Sequence, residues 1–134
     1  MSLVSRKGLL AIAAVMDVAI HAGDRPVSAK ALASRHALPP RHLEPVLQAL
    51  VRDGILKGIR GPHGGYTLAR AQNHVTAEDI LHAAESTMDG DEPPLTSPLV
   101  NTVVRPALDH AERSFSAVLR QITVEHMVQK ARAA

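Results

Sequence analysis

Residues 39–70 read PPRHLEPVLQALVRDGILKGIRGPHGGYTLAR, and the way this stretch folds decides how the rest of the chain is arranged. Leu43, Val46, Leu47 and Leu50 recur at i, i+3, i+4 and i+7, which lines one helical face with apolar side chains and turns Arg41, His42, Glu44 and Gln48 elsewhere. Asp53-Gly54 then stops the helix. Ile55 to Arg60 and Tyr66 to Ala69 carry the β-branched and aromatic residues that strands favour, and Gly61-Pro62-His63-Gly64-Gly65 between them is almost all turn former. The stretch is a short helix running directly into a Gly-rich hairpin. Pro45 fits least easily, because it cannot bond the Arg41 carbonyl and it biases Glu44 away from helical dihedrals. The helix therefore starts near Glu44, bends in its first turn, or carries Pro45 at its first position.

Working upstream, Arg6 to Ala22 is a helix rich in Ala and Leu, with Leu9, Ile12, Ala13, Met16, Ala19 and Ile20 at helical spacing. Ser28 is a good N-cap for a second helix, Ala29 to His36, and Ala37-Leu38-Pro39-Pro40 is the turn before the third. Two short helices joined by a turn, the second followed by a hairpin, make a winged helix-turn-helix whose second helix is the reader.

Downstream, Thr76 caps a helix to about Glu85, with Glu78 and Asp79 in the first turn. Ser86 to Pro98 is rich in Pro, Gly, Ser and Asp and reads as a loop. From Leu99 to Ile122, Val104, Leu108, Ala111, Phe115, Val118 and Ile122 follow one another at four, three, four, three and four residues, an a/d seam. Such a helix either pairs with a second copy or lies on its own domain. Pairing is favoured, since a long helix beyond a loop has little of its own chain to bury against. Pro106 lies in its first turns or kinks it, and Thr123 caps a last helix, Val124 to Lys130, after which the chain frays. The expected architecture is mainly α with a small β wing. Residues 1–75 form a winged helix-turn-helix DNA-binding domain, 76–98 a linking helix and loop, and 99–134 the dimerisation helix and a short C-terminal helix.

Composition narrows the function. The 134 residues include no cysteine, which removes thiolate metal and iron–sulfur sites. The longest apolar run, Gly8 to Ala22, is interrupted by Asp17 and falls short of the ~20 residues a membrane span needs. With no signal or lipidation pattern either, the chain is read as cytoplasmic and without a membrane partner. A net charge of +2 hides an asymmetry: residues 1–75 hold ten Lys/Arg against four Asp/Glu, and 76–134 hold five against nine. The first part is +6 and the second −4, so the positive field lies where phosphates would dock. One Tyr and one Phe leave little to stack on splayed bases, which favours duplex DNA over single-stranded RNA. The eight histidines fall in separate elements, so no metal is expected. No activated nucleophile motif or Walker-type loop occurs, and the chain is read as a protein that is not an enzyme and carries no cofactor.

Lys7-Gly8, Leu43-Glu44, Arg60-Gly61-Pro62-His63-Gly64-Gly65-Tyr66 and the closing segment Leu119 to Val128 together resemble the bacterial Rrf2 family of regulators, the family of IscR, NsrR and CymR. The resemblance implies a homodimeric winged-helix transcription factor, with long helices crossing at the dimer interface and the reading helix in the major groove. It also sets a departure. Family members that sense iron, nitric oxide or redox state carry three cysteines in the loop before the long helix, and this chain has none there. Asp89, Asp91 and Glu92 are hard oxygen donors that cannot replace soft thiolates as a set, so the chain looks like a cluster-free member.

In the family's pattern the arginine at Arg60 enters the minor groove, whose width and potential attract a guanidinium. Gly61 and Gly64, with Gly65, serve backbone geometry and close approach to phosphate. His63 at the tip touches phosphate or is simply an exposed turn residue. Arg41 and His42 lie where side chains reach base edges; Arg41 reads guanine or holds phosphate. The family's glutamate at Glu44 helps base discrimination, though a helix dipole also favours an acid there. Lys7, Ser28 and Gln48 are expected backbone contacts, whereas Lys57 and Arg70 read as solvated charge. The expected function is a sequence-specific regulator, a repressor, acting as a homodimer on a palindromic operator. The alternatives are a protein-interaction adaptor built on the same scaffold, or a small-ligand sensor on the same dimer. The effector or partner protein is not legible.

Overall fold

The computed structural model describes residues 3–85 and 97–134, and its centre is the first helix. Helix α1, Arg6–His21, is capped by Ser5, whose hydroxyl accepts from the Gly8 N–H at 3.0 Å. Its inner face, Ala11, Ala14, Val15 and Val18, is fully buried. Helix α2, Ala29–His36, starts where the sequence predicts, the Ser28 hydroxyl accepting from the Ala31 N–H at 3.0 Å. Ala37, at φ 53°, ends it in a left-handed turn. Helix α3, Pro40–Arg52, then buries Leu43, Val46, Leu47 and Leu50, each exposed by 1% or less.

Pro45 lies inside α3, which corrects the expectation of a start near Glu44 or of Pro45 at the first position. Pro40 takes that position instead, where a missing N–H is harmless. The buried stripe on the opposite face holds the helix through Pro45, because packing outweighs the single backbone bond it removes.

The wing follows. Strands β1, Leu56–Ile59, and β2, Gly65–Leu68, pair antiparallel with Leu56 opposite Leu68 and Ile59 opposite Gly65. Val27, just before α2, bonds to Tyr66 in both directions, its N–H donating to the Tyr66 carbonyl at 2.9 Å and its carbonyl accepting from the Tyr66 N–H at 2.7 Å. The hairpin is thereby tied to the base of α2.

A 3-10 turn, Gln72–His74, leads to helix α4, Ala77–Glu85. A capping box starts it: the Asp79 N–H donates to Thr76 Oγ1 at 3.1 Å, and the Thr76 N–H donates to Asp79 Oδ2 at 3.0 Å. Residues 86–96 lie outside the described residues, and with them most of the loop expected over Ser86 to Pro98, including Asp89, Asp91 and Glu92.

Beyond them a π-helical turn, Val100–Val104, runs without a break into helix α5, Arg105–Leu119. Pro106 supplies the cause. Its ring crowds the carbonyl one turn back and offers it no N–H, so the turn widens and the Arg105 N–H bonds five residues back to Val100. Helix α6, Val124–Ala133, is capped by Thr123, whose hydroxyl accepts from the His126 N–H. It continues past Lys130, where fraying was expected.

The last helix returns to the first. Val124 and Val128 join the core against α1, and Thr76 pairs with Thr123 in an isolated bridge. The Ala77 N–H donates to Ile122 at 2.8 Å and the Val124 N–H to Val75 at 2.9 Å. One core therefore draws on α1, α2, α3, α4, the base of the wing and α6, whereas α5 contributes no buried residue. Among the described residues no helix is long and apolar enough to cross a membrane.

Among the described residues one polar side chain enters the core. Asp17, 3% exposed, receives Arg35 Nε at 2.8 Å and Nη2 at 2.9 Å, and its Oδ2 lies 2.6 Å from His36 Nε2. Burial pushes its carboxyl up, but the hydrogen bonds from Arg35 and His36 outweigh this and hold it below the usual value. The hydrogen bonds to Asp17 in turn raise the pKa of the Arg35 guanidinium. Asp17 had read only as a break in an apolar run; it is the hook that fastens the C-terminal end of α2 to α1.

Candidate nucleic-acid interface

Because α3 buries one face, the residues three and four apart on its other side are fixed outward. Arg41, Glu44 and Gln48 fall on that outer stripe, with His42 beside them, and all four are exposed. The side chains of Arg41 and Glu44 make no hydrogen bond or ion pair among the described residues. Both keep their full polar valence for another molecule.

Arg60 follows β1 directly and is also exposed, with no ion pair among the described residues. The turn behind it has tight steric demands. Gly61 has φ 115°, a conformation costly for any side chain, and a Cβ on Gly64 would stand 2.2 Å from the Ile59 carbonyl oxygen. Gly65 passes so close to the base of α2 that a Cβ there would lie 2.4 Å from the Val27 oxygen. These glycines shape the tip and leave His63 exposed upon it.

Between wing tip and α2 lies an open cleft of about 420 Å³, lined by His21, Arg25, Val27, Ser28, Arg35, His63 and their neighbours. It brings together Ser28, His63 and Gly64, which the sequence singles out, with His21, Arg25 and Arg35, which it does not. Among the described residues no Asp or Glu lines it. Only the +6 charge of the first 75 residues signalled these cations, and charge alone cannot say which of them meet. Lys7 lies elsewhere, half-buried in the first turn of α1 beside Gly8, whose Cα packs on Leu81 of α4.

The seam residues of α5 divide. Val104, Leu108, Ala111 and Val118 are exposed, Leu108 by 53% and Val118 by 57%, and Ile122 is exposed by 36%. Phe115 is half-buried and turns with Leu119 toward Leu81 of α4, where a small cavity of about 140 Å³ also takes in Glu78 and Glu85. Arg120 Nε stands 3.4 Å from Glu78 Oε2 across that joint.

Known proteins align with this chain over most of its length. The Rrf2 family model, described as an iron-dependent transcriptional regulator, matches residues 4–130. An HTH-type transcriptional regulator, IscR of Pectobacterium carotovorum, is 30% identical over 83 residues, 62% of this chain and 51% of its own. The chain spans about half the length of the Pectobacterium and Photorhabdus IscR relatives that it matches. A Synechocystis protein provisionally named HTH-type transcriptional regulator slr0846 is 32% identical over 131 residues, covering 94% of this chain and 87% of its own. The solved structure of T. potens IscR superposes with a TM-score of 0.77 at 32% identity, over 97% of this chain and 88% of that one. The family description names iron, and the donors here do not fit a cluster held by thiolates. The chain has no cysteine, and among the described residues no three His, Asp or Glu side chains converge.

Proposed function

The chain belongs to the Rrf2 family of transcriptional regulators, and from that premise we propose that it is a sequence-specific DNA-binding repressor that works as a homodimer in the cytoplasm. The observation that carries this is the outer face of α3, where Arg41, His42, Glu44 and Gln48 stand exposed in the same small head as the cationic hairpin tip at Arg60. A helix of this kind enters the major groove, Arg41 and Glu44 meeting base edges, while Arg60 enters the neighbouring minor groove. Residues 1–75 carry the DNA contacts, and α5 carries the dimer contacts through Val104, Leu108, Ala111, Phe115, Val118 and Ile122. Two copies then face half-sites about one helical turn apart, which makes the operator palindromic. Occupying a promoter this way blocks transcription.

A mobility shift on the intergenic DNA upstream of its own gene tests the reading. Arg60→Ala should weaken the complex about tenfold, and Glu44→Ala should narrow the gap between operator and scrambled DNA, each good base contact being worth about 1–3 kcal/mol of discrimination. Absence of any specific complex at low salt would shift the balance to the adaptor. A response to a small ligand is a second reading, favoured by the cavity between α4 and α5 beside Phe115, Ser116 and Glu78. Ser116→Leu fills that cavity; a promoter response that survives it sinks the sensor reading.

A further inference from the structure

The cleft between the wing tip and α2 has no part in base reading by α3 or in the minor-groove contact of Arg60. We infer that it seats a phosphodiester of the duplex backbone, with Arg25 as its principal cation; this rests on the DNA-binding reading above. Among the described residues four of its lining side chains are arginine or histidine and none is acidic. The two arginines are not equivalent. Arg35 is held bidentate by Asp17, so its charge is largely taken up within the fold. Arg25 has no ion pair among the described residues and remains the open charge of the cleft.

The backbone that carries Arg25 is rigid. Pro26 fixes the next φ, Val27 is bonded to Tyr66 in both directions, and Gly65 lies close against Val27. A phosphate contact formed there loses little backbone freedom. Ser28 accepts from the Ala31 N–H, which leaves its own hydroxyl proton to donate to a phosphate oxygen. His21 and His63 flank the position from two separate elements.

The geometry points to a polyanion and not to a free phosphate or nucleotide. The cleft is open, and among the described residues no Phe, Tyr or Trp lines it to stack a base and no buried donor encloses an anion. A single exposed guanidinium holds a lone phosphate weakly in water. It contributes to a polyanion because each phosphate it neutralises releases condensed counterions.

The test uses the full chain, two duplexes of equal length carrying the upstream intergenic DNA or its scrambled sequence, and a series of salt concentrations. Arg25→Ala should weaken both duplexes alike, about fivefold, and take about one from the slope of log K against log salt. Arg25→Lys should recover most of the affinity, and an unchanged melting curve shows that the fold is kept. If Arg25→Ala leaves affinity and slope intact while Arg60→Ala weakens the complex, the cleft assignment is overturned and the DNA-binding reading survives. A change in selectivity instead of uniform weakening would make Arg25 a base reader and also overturns it. Competition by inorganic phosphate at constant ionic strength would reveal a discrete anion site and overturn the backbone assignment. Failure of the wild-type protein to bind either duplex removes both readings together.

Discussion

Helices α3 and α5 are close in length, and each carries an apolar stripe and a proline, yet the chain treats them differently. In α3 the stripe closes on α1, α2 and α4, and Pro45 is absorbed without a break. In α5 no residue is buried, and Pro106 opens a π-turn at its start. The stripe of α3 thus stabilises the fold that contains it. Among the described residues the stripe of α5 meets only α4, through Phe115 and Leu119, and in the proposed dimer its exposed apolar surface is what a second copy covers.

That contrast breaks most sharply under truncation. Leu47→Ala removes a fully buried side chain of α3 and should cost about 3 kcal/mol of folding stability in urea titrations, from lost transfer energy and the cavity left behind. A loss as small as that of a surface site would mean that α3 is not what the core is built on. Leu108→Asp should leave the helix content of the head intact while raising the dimer dissociation constant about a hundredfold, near 2.7 kcal/mol. Sedimentation at several protein concentrations reads this directly. If Leu108→Asp unfolds the head, the division between a self-sufficient head and an arm for association is wrong.

The smallest effect refines the head itself. Asp17→Asn should cost about 2 kcal/mol at neutral pH by weakening the charged hydrogen bonds to Arg35 and His36. The folded carboxyl is held below its unfolded value of about 3.9, so its stabilisation is present above that pH and is lost as pH falls through the folded value. Wild type and Asp17→Asn should therefore converge in urea midpoint on acidification. A gap that persists in strong acid would show that shape, and not charge, holds the hook.

What could be read in the sequence follows from the range of each interaction. Ser28, Thr76 and Thr123 act within three residues of themselves, and all three caps stand where their sequence places them. The i, i+3, i+4, i+7 run of α3 and the turn residues of the hairpin are equally local. Asp17 meets Arg35 and His36 eighteen and nineteen residues away, and Arg25 shares its cleft with His63 only because Val27 is bonded to Tyr66. Such pairings depend on packing angles that no periodicity encodes. The π-turn was half legible: Pro106 announced a disturbance, but the widened turn that relieves it is a response of the backbone upstream.

The bridge between Thr76 and Thr123 has one further consequence, which concerns chain length. Because α6 comes home to α1, everything from α4's entry to α6's entry is a closed excursion whose ends are pinned together. The entropy of closing such a loop grows only with the logarithm of its length, so doubling the connecting segment costs about 0.6 kcal/mol. Insertions or deletions between α4 and α5 are therefore nearly neutral for the head, and the fold can exchange one connecting segment for another while α1 to α4 and the wing stay as they are.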